Sequence, residues 1–425
     1  MAGADVAHPL IVPMPRVVPP AGRAVRWAAI ATLRARWRAG RLDLVMPGGE
    51  RVRLGGPGTA EATARIHDDR MFLRLLLRGE MGIGEAFVAG EWTVASAEEL
   101  VAVIRLFLRA TRARGTESAL TRMAQLPALV RHRRAANTLR GSARNIHAHY
   151  DLGNAFYQLF LDDETLAYSA AIYSNPAGAS PAGANPAASL AEAQHAKLDK
   201  LCDWLALSPR DHLLELGCGW GGMAIHAART RGCRVTAITV SREQHQLARA
   251  RVAAAGLTDR VSIELRDYRQ IDGTYDKLVS IEMLEAVGYE YLPGYFARCA
   301  QLLRPGGRLA LQSITMPDDR FEAYRRSVDW MQTYVFPGSL IPSIGTIERA
   351  ADAAGFRITR RNDIGPDYAP TLRAWRERFT AALPAVRARF DQPFIRTWLL
   401  YLAFSEAAFA ERTLQNHQLL LAGRE

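Results

Sequence analysis

Apolar positions change their period twice along the chain. After a basic stretch from Ala24 to Arg38, short alternating runs (RLDLVMPGG, 41–49, and ERVRLGG, 50–56) read as strands. They are followed by FLRLLLRGEMGIGEAFVAGEWTV (72–94), rich in glycine, and the whole predicts a small α+β unit over about residues 25–95. From Ser96 the spacing becomes helical. Leu100, Val103, Ile104 and Phe107 fall on one face, Arg105, Arg109 and Arg112 on another, and Ser96 with Glu99 predicts a capping box. From about residue 145 strand-like and helical runs alternate. DHLLELG (211–217), RVTAITV (234–240), VSIELRD (261–267), DKLVSIEM (276–283) and GRLALQSIT (307–315) are the apolar runs. That alternation predicts a parallel sheet with right-handed crossovers. NPAGASPAGANPAAS (175–189) predicts an exposed loop, and beyond 316 the chain reads as largely helical and rich in core aromatics. The first 24 residues, proline-rich and without a long apolar segment, read as a loose tail and not a secretory signal.

Composition narrows the class. With 425 residues, 49% hydrophobic and 23% charged, the chain can build two or three cored domains, which excludes a disordered or collagen-like protein. Four cysteines (Cys202, Cys218, Cys233, Cys299) form no CxxC pair, so a reduced, cytoplasmic setting without structural zinc is expected, and no metal site. Charge is segregated. Residues 1–150 hold 23 arginines, no lysine and 12 acids, so the whole excess of +11 sits there, while the remainder balances at zero. Residues 101–144 carry ten arginines against Glu117 alone. An anionic partner for this third follows, either a membrane surface or a nucleic acid. For the helix beginning at Ser96, an ordinary solvated basic face and an amphipathic lipid-facing one both remain open.

The candidate chemistry begins at Glu215-Leu-Gly217-Cys218-Gly219-Trp-Gly221-Gly222, which closes a strand and opens a helix. Glycines there let backbone approach a ligand at a positive helix end. The spacing also satisfies G-x-G-x-x-G, so a dinucleotide site stays as an alternative. Two features favour S-adenosylmethionine. The acid precedes the first glycine by two positions, and the second strand ends in Thr239-Val-Ser241 without the carboxylate a ribose diol would need in a dinucleotide site. Ser241 and Gln244 fit a capping box as well as a cofactor contact. Asp267-Tyr268-Arg269 follows the third strand, where adenine contacts are expected in this fold, with a plain polar loop as the alternative.

Nine ordered segments then resemble the cyclopropane-fatty-acyl-phospholipid synthase family, which includes the mycolic-acid cyclopropane synthases. They are HYDLGNAFYQLFLDDETLAYS (149–169), AEAQHAKLDKLCDWL (191–205), LELGCGWGG (214–222), TVSREQ (239–244), DYR (267–269), EMLEAVG (282–288), LRPGGRLALQSIT (303–315), FPGSLIPS (336–343) and DIGPDYAPTLRAWRERF (363–379). GEMGIGEAFVAGEW (79–92) is similar to the accessory domain of the phospholipid-acting members. The resemblance implies a Rossmann-like class I methyltransferase fold with helical additions over 141–425, behind a smaller α+β/helical lipid-binding domain over 25–140. It implies methylene transfer from S-adenosylmethionine to a cis double bond of an unsaturated phospholipid acyl chain, through a carbocation deprotonated by bound bicarbonate. The bicarbonate holders it implies are Glu285, Gln312, Tyr368, the backbone of Ile314 and the residue at Ala170. Tyr168 and Ser169 match its contact to the methyl donor. A peripheral enzyme on the inner face of the cell membrane is implied, with no nucleic acid partner, and a homodimer is left open.

The departures matter as well. Ala170 stands where many members have a cysteine, Gln312 where many have a titratable histidine, and Glu285 is followed by Ala286 instead of histidine. A methyl- or methylene-branched product is therefore an alternative to the ring. The rivals are a nucleic-acid methyltransferase, for which the chain has no Asn/Asp-Pro-Pro-Tyr or Pro-Cys motif, a small-molecule methyltransferase, and an inactive membrane-binding module.

Overall fold

The computed structural model describes residues 23–37, 40–57, 61–112, 152–173 and 188–423. The tail through residue 22, most of the proline- and alanine-rich loop and the arginine-rich segment from 113 onward lie outside the described residues. Two compact units divide the chain, and they are not consecutive stretches. Besides the N-terminal stretch, Arg326–Pro337 and Phe379–Thr413 fall in the first unit. The reason is burial. The Gln392–Ala410 helix sends Leu400, Ala403 and Ala407 into the same core as Leu42, Phe72, Trp92 and Leu100.

In this first unit the alternation in the sequence is realised. Strands β1 (Leu42–Val45), β2 (Arg51–Leu54), β3 (Ala62–Ile66) and β4 (Trp92–Thr93) make a sheet in the order β2-β1-β3-β4. In β2 the arginines are exposed while Val52 and Leu54 are buried, the period of two a half-buried strand requires. The glycine-rich run is the helix Arg70–Ala89, kinked where Gly79 leaves helical geometry at φ 58° and ψ −134°. The helix Ala97–Arg112 buries Leu100, Val103 and Ile104 as expected. Its cap differs from the predicted box: Ser96 accepts from the Glu99 amide at 3.1 Å, but the Glu99 carboxylate takes the amides of Ala95 and Thr63. Its basic face is not left for lipid alone either. Arg105 and Arg109 pair with Glu411 at 2.6 and 2.9 Å, and Arg109 also reaches Glu61.

The second unit carries a seven-stranded sheet in the order β10-β11-β9-β8-β5-β6-β7. The strands are β5 (His212–Leu216), β6 (Arg234–Thr239), β7 (Val261–Leu265), β8 (Tyr275–Ile281), β9 (Leu303–Thr315), β10 (Phe356–Asp363) and β11 (Gln415–Gly423). The five expected strands are present and mutually parallel. Two were missed: β10 and β11 lie in the stretch read as helical, and both pairings of β11 are antiparallel. β11 lies between β9 and β10, and apolar cores take Leu420 on one side and Leu419 and Leu421 on the other, so all three are buried and leave no alternation to read.

One buried charge in the first unit is directly testable. Glu85, with no exposed surface, is held by Arg78 at 2.6 Å, Tyr334 Oη at 2.6 Å and Arg74 at 3.6 Å. Removing one member of such a group strands its buried partners, so Glu85→Ala should destabilise by about 3–5 kcal/mol. The exposed pair of Arg378 and Asp163 gives the control, with Asp163→Ala expected to cost less than about 1 kcal/mol. Thermal melts of both variants decide it, and equal shifts contradict the reading.

Candidate active site

The glycine turn leaves β5 at its carboxyl end. Gly217 and Cys218 donate their amides to Ile238 O at 3.1 and 2.8 Å, and Gly221 to Cys218 O at 2.8 Å, so the turn satisfies much of its own backbone. Gly219 sits at φ +52°, and no atom stands within 4 Å of where a Cβ would project. Gly222 opens the helix Gly222–Arg231, and a Cβ there would meet Thr165 O at 2.4 Å, which requires glycine. Glu215 is buried just before the turn, and its Oε2 has no hydrogen-bond partner. An orphaned carboxylate oxygen beside an open glycine flank fits a polar ligand such as S-adenosylmethionine. Loss of water pushes the Glu215 carboxyl up to about 8.

The other expected cofactor residues are placed as follows. Ser241 caps the helix Arg242–Ala254, accepting from the Gln244 amide at 3.3 Å. The predicted box is only half formed, because the Gln244 side chain accepts from Thr239 Oγ1 at 2.8 Å. Both oxygens of Asp267 are taken by Arg269, whose guanidinium also lies 5.3 Å from the Tyr268 ring centroid. Ser169 is buried and accepts from Lys197 Nζ at 2.8 Å. Tyr168 stands in a cluster of rings, 5.4 Å from Tyr157 and 5.2 Å from Trp375, with Tyr157 in turn 5.0 Å from Trp220 and Trp375 6.0 Å from Tyr368.

The expected anion holders do converge, but on a protein carboxylate. Glu282, directly after β8, accepts four hydrogen bonds. Oε1 takes Ala170 N at 2.9 Å, Gln312 Nε2 at 2.9 Å and Asn416 Nδ2 at 2.6 Å, and Oε2 takes Tyr368 Oη at 2.8 Å. Gln418 Nε2 donates to Gln312 Oε1 at 3.0 Å, which turns the Gln312 amide nitrogen toward Glu282. Glu285 makes a separate set: its Oε1 accepts from Ser313 Oγ at 2.9 Å and from Ile314 N. Loss of water and then the neighbouring Glu282 charge push the Glu285 carboxyl up to about 8, so at neutral pH it carries a proton. Lys197, fully buried, supplies the balancing charge; burial lowers it to about 8 against the pull of Glu282, Asp162 and Glu215.

These contacts bear on whether bicarbonate fits. The donors meant for it, Ala170 N, Gln312, Tyr368 and Ile314 N, are already engaged by Glu282 and Glu285. A second anion at ~4 Å from a carboxylate would be repelled by about 4 kcal/mol at an effective dielectric of 20. Bicarbonate does not fit this site. Sequence reasoning missed Glu282, Lys197, Asn416 and Gln418. The first lay in the quoted EMLEAVG, and its repeat of acid at a three-residue interval was the available signal. The last two stand on β11, which was not foreseen.

Burial raises all four thiols, so no thiolate nucleophile stands here at neutral pH. Among the described residues no group of three His, Cys, Asp or Glu side chains is arranged to hold a metal.

The raised carboxyls give a pH prediction. Between about 4.5 and 8 the native chain keeps protons on Glu215 and Glu285 that the unfolded chain has released. Their contribution is therefore full below about 4.5 and is lost as pH rises to about 8. Lys197 acts only above that window, where the unfolded chain holds the extra proton. Glu285→Gln should flatten the fall in melting temperature between pH 5 and 8, as measured by thermal scans; an unchanged slope contradicts the assignment.

Known proteins match this architecture. A family model described as mycolic acid cyclopropane synthetase matches residues 137–419. The chain is 40% identical to a tuberculostearic acid methyltransferase of Mycobacterium tuberculosis over 95% of its own length and 93% of the relative's. It is 37% identical to a probable fatty acid methyltransferase of Pseudomonas putida over 68% and 71% of the two chains. With the cyclopropane-fatty-acyl-phospholipid synthase of Escherichia coli it shares 31% identity over 86% and 89%. Among solved structures, the mycolic acid cyclopropane synthase CmaA1 complexed with SAH and CTAB aligns with a TM-score of 0.60 at 28% identity, covering 66% of this chain and 98% of that one. A class I sheet, a glycine turn with its orphaned acid and this kinship lead to one conclusion: the chain is an S-adenosylmethionine-dependent methyltransferase belonging to the mycolic acid cyclopropane synthetase family.

Proposed function

We propose that this enzyme transfers a methyl group from S-adenosylmethionine to the cis double bond of an unsaturated acyl chain carried by a membrane phospholipid. The carrying observation is Glu282: a carboxylate held by four donors, close to a cluster of aromatic rings and to the glycine turn. A Gly217 Cβ would come within 2.9 Å of Met283, the residue next to Glu282, so donor turn and carboxylate share one neighbourhood. When bound, the sulfonium supplies an electrophilic methyl. The residues that would hold it are Glu215, Gly217, Gly219, Tyr168 and Ser169, with Thr239, Ser241, Gln244, Asp267 and Tyr268 farther along the strand ends. The chain's own part is to align a weakly nucleophilic alkene, exclude water and stabilise the cation left by methyl transfer. The faces of Tyr168, Trp375 and Tyr368 suit a cation at ring-contact distance.

Loss of a proton from the added methyl can end in a ring or in a methylene branch. The sequence puts the ring first. The branch is favoured here by the near full-length similarity to a tuberculostearic acid methyltransferase, which exceeds that to the cyclopropane synthase. The ring keeps the support of the family. The arginine-rich N-terminal third supports an anionic bilayer as the surface where the acyl chain is met. No helix among the described residues is long and apolar enough to cross a membrane.

Two outcomes are expected. With methyl-labelled donor and vesicles containing unsaturated phospholipid, label should enter the acyl chains. Proton NMR of the recovered esters should show vinylidene signals for a branch or shielded ring methylene signals for a cyclopropane. Label confined to protein or water-soluble products contradicts the reading. Vesicle sedimentation should also weaken as salt shortens the screening length from ~10 Å at 0.1 M to ~3 Å at 1 M. Binding that ignores salt removes the bilayer from the account.

A further inference from the structure

We infer that Glu282 is itself the base that takes the proton from the methylated acyl cation, so that catalysis needs no captured bicarbonate. The inference rests on the methyl-transfer reading above and deepens it.

Three observations carry it. The first is the count of donors. Each oxygen of a carboxylate offers about two lone-pair positions. Oε1 has three donors and Oε2 only one, so the remaining lone pair lies on Oε2, beside Tyr368. The second is the backbone. Glu282 sits at φ +47°, in the left-handed region that glycine enters freely and a glutamate enters at a cost of roughly 1–2 kcal/mol. A side chain kept at such a position is held there by what it does, and the donors of Ala170, Gln312, Asn416 and Tyr368 are what hold it. The third is the neighbourhood. The Ala170 amide that Oε1 accepts lies two residues from Tyr168, whose ring packs on Trp375, and Tyr368 packs on the same indole. The open carboxylate position therefore lies beside the rings suited to the cation.

The step balances without a further reagent. Methyl transfer to a neutral alkene leaves a cation and neutral S-adenosylhomocysteine. A C–H bond of the transferred methyl then breaks and the proton passes to Glu282 Oε2. The released electron pair closes a ring onto the neighbouring cationic carbon; where a 1,2-hydride shift has first moved the positive charge to the methyl-bearing carbon, the same pair forms the methylene double bond, and in either case the lipid leaves neutral. Glu282 then returns its proton to solvent. Bicarbonate and a glutamate present the same planar O–C–O group to the same donors. The tethered one has no binding equilibrium to satisfy and is already oriented.

The experiment compares the intact enzyme and two variants in buffer stripped of carbon dioxide, with and without added bicarbonate. Labelled-methyl incorporation into lipid is followed, with S-adenosylhomocysteine binding as a separate readout. The wild type should turn over equally in both buffers. Glu282→Gln should lose about 100-fold or more in kcat, the scale of a general base, while S-adenosylhomocysteine binding is retained. Glu282→Gly removes the backbone strain and leaves the donors of Ala170, Gln312, Asn416 and Tyr368 facing an open position. It should fold, be nearly inactive, and recover at least about tenfold with bicarbonate or formate, part of what a positioned base supplies. A wild type that works only with bicarbonate overturns the inference, as does a Glu282→Gln that keeps its rate or a Glu282→Gly that no small anion restores. A wild type that labels no lipid in either buffer defeats the proposed function instead, so the two failures are told apart.

Discussion

Four hydrogen bonds to one carboxylate organise this active site. They reach Glu282 from four separate segments: the amide of Ala170 after the first ring cluster, Gln312 on β9, Asn416 on β11 and Tyr368 on the Gly365–Ala381 helix. Two of the donors are themselves fixed, Gln312 by Gln418 across the β9–β11 register and Tyr368 by its contact with Trp375. A charge placed this way is worth more than its contacts in water, because its partners are already oriented and low local dielectric strengthens each bond. The same charge reaches its neighbours: it helps to keep a proton on Glu285 and supports the positive charge of buried Lys197.

The site is therefore a balanced electrostatic arrangement and not one isolated charge. Glu285 is neutral at physiological pH and ties the Ile314 amide and Ser313 hydroxyl, Lys197 binds Ser169, and Glu282 takes the remaining donors. Two ionised carboxylates so close would repel, and protonating one is the economical resolution. The seven-stranded sheet makes the arrangement possible, since β8 and β9 run parallel and bring Glu282, Glu285, Gln312 and Ile314 to one end, and antiparallel β11 lays Asn416 and Gln418 beside them.

Much of this was legible beforehand. The five parallel strands announced themselves by alternation with helices, and Glu215, Gly217, Gly219 and Gly222 by a turn chemistry few other uses require. Ala170, Gln312 and Tyr368 were named through resemblance, and all three donate to Glu282. What escaped had physical reasons. The β11 strand is covered on both faces, so its leucines carry no period. The role of Glu282 depends on a positive φ and on donors more than 80 residues away in each chain direction, neither of which a local pattern encodes. The face with Arg105 and Arg109 left two readings open, because Glu411, their partner, is about 300 residues distant.

A crystal structure of the enzyme with S-adenosylhomocysteine, grown in excess bicarbonate, tests the central claim most directly. The account predicts the Glu282 carboxylate itself between Ala170 N, Gln312, Asn416 and Tyr368, with no second anion. A planar ion on those donors, with the Glu282 side chain swung away, would contradict it.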